Sequence, residues 1–147
     1  MVLSDMNSDG TSNPSLRDLA SEIGYVQIYW SFLESAMRAQ LQAAGIQIAK
    51  GPIISHWRIH MQQLLADPAD HGIIASRLFA VEQVAASRNL LAHGIQSASA
   101  DPWEKGSAFV VCAATDGSLH RLTIEMIRGL AEDIDRVRRL ITGQRVN

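Results

Sequence analysis

Leu19, Ile23, Val26, Trp30, Leu33, Met37 and Leu41 recur at steps of three and four along one stretch of the chain. Only a helix returns residues at that spacing to one side. The spacing therefore predicts a long helix over 15–44 with one apolar stripe, capped by Asn13-Pro14 or Ser15 and stopped at Gly45. Gly51-Pro52 opens a second helix with Ile53, Trp57, Met61 and Leu64 on one side, and Asp67-Pro68 ends it. A third helix carries Ile74, Leu78, Val81, Ala85 and Ala92 and stops at Gly94, read as a left-handed cap. A Ser/Ala/Pro-rich loop over about 95–106 breaks the pattern. Ala108–Ala114 is apolar and β-branched, Thr115-Asp116-Gly117-Ser118 is a tight-turn sequence, and Leu119–Thr123 returns as the second strand of a hairpin. Thr123 caps a last helix through about 142, with Ile127, Leu130, Ile134, Val137 and Ile141 inward. The expected architecture is mainly α: a four-helix bundle with one β-hairpin between the third and fourth helices. Residues 1–14 are polar and aperiodic and read as a flexible tail, leaving 15–147 as a single domain.

Composition narrows the class. The chain has 147 residues, 47% apolar and 19% charged, with a formal charge of −2. That suits one domain with a core of its own and excludes a disordered or solvating chain. No apolar run approaches the roughly 18 residues of a membrane span, and the N-terminus lacks the pattern of a secretory signal. A soluble, cytoplasmic protein with no membrane association is expected. The lone Cys112 excludes an internal disulfide and a cysteine-based zinc site, and is read as a small core residue. No Gly-rich phosphate loop and no nucleophile elbow is present. Near-neutral charge excludes coating of nucleic acid by bulk attraction, but its sign is uneven. Acids dominate residues 1–35, whereas 121–147 hold Arg121, Arg128, Arg136, Arg138, Arg139 and Arg145.

The most distinctive segment is Ser87-Arg88-Asn89-Leu90-Leu91-Ala92-His93-Gly94, at the end of the third helix. Asn89 and His93 are four apart and share a face, with Arg88 displaced by about 100°. His93 lies in the last turn, where the dipole and free carbonyls favour imidazolium. A fixed guanidinium beside a titratable imidazole can stabilise charge and move protons on a phosphodiester. The segment resembles the HEPN family (higher eukaryote and prokaryote nucleotide-binding), whose signature is Arg, four to six residues, then His, often with Asn after the Arg. The order of elements is also similar: long helices first, the motif late in a helix, a final helix closing the bundle.

The resemblance implies a homodimeric, metal-independent endoribonuclease with no cofactor, acting on RNA as a toxin or defence effector restrained by an antitoxin-like protein partner. It implies attack of the 2′-hydroxyl on the adjacent phosphate, with His93 as base or acid. Arg88 would stabilise the phosphorane, Asn89 would orient the phosphate or the His93 ring, and a second His93 from the symmetry mate would supply the opposite proton function. The other reading it leaves is a non-catalytic protein- or nucleotide-binding module.

Glu34, at the edge of the first helix's apolar stripe, is expected to pair with Arg88, either to position the motif or to fasten two helices. His56 and His60, four apart on the second helix, are read as a solvated or cleft-edge face ahead of half a metal site. His71 and His120 fall in turn or strand contexts with no evident partner. Trp30 and Trp57 are expected in the core. Trp103 can either pack or stack an RNA base. Arg136, Arg138, Arg139 and Arg145 are either a solvated helix face or a phosphate-tracking patch.

Overall fold

The computed structural model describes residues 13–100 and 108–143. The expectations for the tail over 1–12, for Trp103 and for Arg145 lie outside the described residues. Four helices appear in order: α1 (Leu16–Ala43), α2 (Ile53–Leu64), α3 (His71–His93) and, after three strands, α4 (Ile124–Ile141). The protein is mainly helical, as the spacing of its apolar residues requires. No helix among the described residues is long and apolar enough to cross a membrane.

Two local devices start helices where the sequence places them. Ser15 Oγ accepts from the Asp18 N–H at 3.1 Å, and Asp18 Oδ2 accepts from the Ser15 N–H at 2.8 Å, a reciprocal cap. Thr123 Oγ1 accepts from the Met126 N–H at 3.2 Å and opens α4. Glu125 in the first turn of α4, with Arg138 and Arg139 in its last, matches the helix dipole at both ends.

The chain gathers into two compact units. The first holds the described residues up to Val26 together with those of Ser87–Leu130; the second holds Gln27–Ala86 and Ala131 onward. The first unit contains the sheet. The expected hairpin forms, and the structure corrects the loop expected before it: residues 95–99 form a third strand. The sheet is antiparallel in the order β1 (Ile95–Ser99), β2 (Phe109–Ala113), β3 (Leu119–Thr123). A shift of register between Ile95 and Ser97 marks a bulge at Gln96. Val110, Cys112 and Leu122 are buried on one face, and Leu19, Val26 and Ile127 of the same unit are buried as well. On the other face the Arg121 guanidinium lies over the Phe109 ring, 3.7 Å from its centroid. The turn between β2 and β3 forms as expected, with Gly117 at φ +84°.

Gly94 ends α3, but not as a left-handed cap, because its φ is not positive. Its role is steric. A Cβ there would lie 2.5 Å from the Ala113 carbonyl oxygen and 2.9 Å from that of Leu90. The Gly94 carbonyl accepts from the Ala113 N–H at 2.8 Å, so β2 begins to pair with the chain as soon as α3 ends.

The second unit is held around Trp57, which is fully buried. Its Nε1–H donates to Gln40 Oε1 at 2.8 Å, and Gln40 Nε2 donates to the Ile141 carbonyl, so α1, α2 and the end of α4 share one polar link inside an apolar cluster. Trp30, Leu33, Met37, Leu41, Ile53, Met61, Val81 and Ile134 complete that core. The predicted stripes are buried with few departures: Ile23, Leu78 and Ala92 are half-buried, and Leu64 is exposed at the end of α2.

Candidate functional site

The last turns of α3 carry Arg88, Asn89 and His93, all within the first unit. Arg88 is half-buried, and its Nη1–H donates to Asn89 Oδ1 at 3.3 Å. Asn89 and His93 are exposed. Helical spacing places these two on one face, and His93 is the final residue of α3. The structure thus gathers the three motif residues at one helix end, with the guanidinium and the amide hydrogen-bonded and the imidazole open to solvent. Such a set offers a fixed cation and an imidazole able to give or take a proton, the requirements for charge stabilisation and proton transfer at a phosphodiester.

Glu34 is a half-buried residue of α1 in the second unit, whereas the motif belongs to the first. Arg138 and Arg139 share Asp135, at 2.9 and 3.5 Å, and Arg136 pairs with Asp133 at 2.6 Å. These guanidiniums are thus matched by carboxylates one turn away on α4, as on a solvated helix face. His56 and His60 border a small cavity of about 160 Å³ with Ile46, Ile59 and Gln63, and His56 Nε2 lies 3.1 Å from the Lys50 carbonyl. Among the described residues no group of three or more His, Cys, Asp or Glu is placed to hold a metal ion. His71 opens α3, with Nδ1 3.2 Å from the Leu65 carbonyl. Burial pushes the Cys112 thiol up, which suppresses the thiolate and leaves it a core residue.

His120 has a partner that the sequence reading missed. Its Nε2 lies 3.0 Å from Ser118 Oγ, and Ser118 Oγ donates to Asp116 Oδ1 at 2.6 Å. The signal was available: residues two apart on an extended chain share a face, which aligns Ser118 with His120. The Ser118 hydroxyl and N–H, both bonded to Asp116, hold its carboxyl below the ordinary value of 3.8, with a smaller contribution from His120.

A cavity of about 760 Å³ lies in the second unit, lined by Ala80, Gln83 and Val84 of α3 and by Asp133, Arg136, Val137, Arg139 and Leu140 of α4. None of the motif residues lines it. Comparison of the chain with protein-family models, with curated proteins and with solved structures gave no match.

Proposed function

We propose that this chain is a HEPN-like endoribonuclease that cleaves RNA by transesterification without a metal ion. The observation that carries the reading is the grouping of Arg88, Asn89 and an exposed His93 in the last turns of α3. In the reaction the ribose 2′-oxygen bonds to phosphorus as the bond from phosphorus to the 5′-oxygen breaks. His93 takes the 2′-hydroxyl proton, Arg88 offsets the charge that builds on the non-bridging oxygens, and Asn89 orients the phosphate. The products are a 2′,3′-cyclic phosphate and a 5′-hydroxyl. A second proton-transfer group has to protonate the leaving oxygen.

A homodimer fits this reading. Ile28 and Phe32 on α1 are each 50% exposed, and Ile73 and Phe79 on α3 are 50% and 67% exposed, apolar surface that a partner copy can cover. A role as a toxin or defence effector restrained by a protein partner belongs to the same proposal. The test is cleavage of a mixed-sequence RNA in EDTA by wild type, Arg88→Ala and His93→Ala, matched for folding. Wild type cleaves and both variants lose about 100-fold or more. One observation favours the second reading, a non-catalytic binding module: the 760 Å³ cavity is built in the second unit without the motif. An intact wild type with no RNA cleavage would decide for it.

A further inference from the structure

We propose that His120, held by Ser118 and Asp116, is the catalytic residue that protonates the leaving 5′-oxygen, opposite His93 as base. The proposal rests on the endoribonuclease reading and adds to it the missing proton donor.

Sheet register supplies the juxtaposition. The Gly94 carbonyl bonds to the Ala113 N–H, and Ala113 pairs with Leu119. One residue further along each strand, Ile95 pairs with Cys112 and Cys112 with His120. His93 directly precedes Gly94, so both imidazole-bearing residues stand at the same end of the sheet, in the same unit. Two strand spacings, about 10 Å, separate β1 from β3 there. A phosphodiester is of the size to bridge rings carried on those two edges, one addressing the 2′-oxygen and the other the 5′-oxygen.

Hydrogen bonding fixes which nitrogen acts. The Ser118 hydroxyl has one proton, and it donates that proton to Asp116 Oδ1. Toward His120 it therefore accepts, which keeps a proton on Nε2. Nδ1 is left as the nitrogen that exchanges a proton with substrate. Asp116 and Ser118 hold the ring in place, and the protonated ring is the form that serves as acid at the start of the step. In the step, His120 Nδ1 gives its proton to the 5′-oxygen as the bond from phosphorus to that oxygen breaks, while His93 receives the 2′-hydroxyl proton. Exchange with solvent resets both rings. Asp116 and Ser118 are positioning residues.

The test uses two RNA oligonucleotides that differ at one linkage, where sulfur replaces the 5′-bridging oxygen in the second. A thiolate leaves without protonation, so the acid matters only for the oxygen substrate. His120→Gln should cleave ordinary RNA about 100-fold more slowly than wild type and cleave the sulfur-bridged RNA at close to the wild-type rate. His93→Gln should lose both substrates, and Ser118→Ala should show a weaker form of the His120→Gln pattern. Wild-type rates on ordinary RNA in His120→Gln would overturn the proposal and move the donor elsewhere, such as to the His93 of a second copy. Equal loss of both substrates in His120→Gln would also overturn it, since a structural defect has that signature. A wild type that cleaves neither RNA, or a fully active His93→Gln, would instead overturn the endoribonuclease reading itself.

Discussion

At Gly94 the end of α3 and the start of the sheet come within bonding distance, and nothing larger than hydrogen fits between them. An added methyl would meet two backbone oxygens, at 2.5 and 2.9 Å, and neither can turn aside as a side chain would. Gly94→Ala is therefore expected to destabilise the fold by about 1–3 kcal/mol, measured by denaturant unfolding. It should also displace His93, its direct neighbour. The reciprocal cap at Ser15 makes a different prediction. Hydrogen bonds from the Ser15 N–H and hydroxyl hold the Asp18 carboxyl below its ordinary value of 3.8. A depressed folded value stabilises the native state above the unfolded value and loses that contribution as pH falls through the folded one. Acid titration of stability from about pH 5 downward should show this loss in wild type and a flatter curve in Asp18→Asn. Both features were only partly legible in the sequence. Ser15 and Thr123 read as caps because capping is a local matter, settled within four residues. Gly94 read as a helix stop for the wrong reason, because the Ala113 oxygen that excludes a side chain lies far along the chain.

Among the elements, the helices were legible and the sheet only half so. Every helix buries one side and exposes the other, so its apolar period is written into the chain. β1 has no such pattern. Its residues, Ile95-Gln96-Ser97-Ala98-Ser99, are exposed for four positions of five. It is a strand because β2, paired with β3 on one side, still has backbone groups to satisfy on the other. That demand is invisible in the hydropathy of residues 95–99 themselves. The same non-local character explains the role of Gln40, a polar residue of α1 that the Trp57 indole N–H and the Ile141 carbonyl both engage. Trp57→Ala would open a large cavity and leave Gln40 without its donor. It should cost about 3–5 kcal/mol in unfolding free energy. Trp57→Phe keeps most of the volume and should cost less, and the difference between the two separates packing from the hydrogen bond.

At the scale of the whole molecule, charge is close to balance, so the proposed RNA site rests on local charge. The guanidiniums of Arg136, Arg138 and Arg139 are matched by Asp133 and Asp135 on the same helix, and that of Arg128 by Glu22, whereas the end of α3 sets the Arg88 guanidinium and the His93 imidazole within six residues. The motif was legible because it is contiguous; His120 was not connected to it, because β2 stands between them in the sheet. The most direct measurement of the central claim is end-group analysis of a short RNA incubated in EDTA with wild type and with His93→Ala, alongside the same strand carrying 2′-deoxyribose at every position. Wild type alone should give 2′,3′-cyclic phosphate and 5′-hydroxyl ends, with the deoxy strand intact. Cleavage of the deoxy strand, or equal cleavage by His93→Ala, would contradict the central claim.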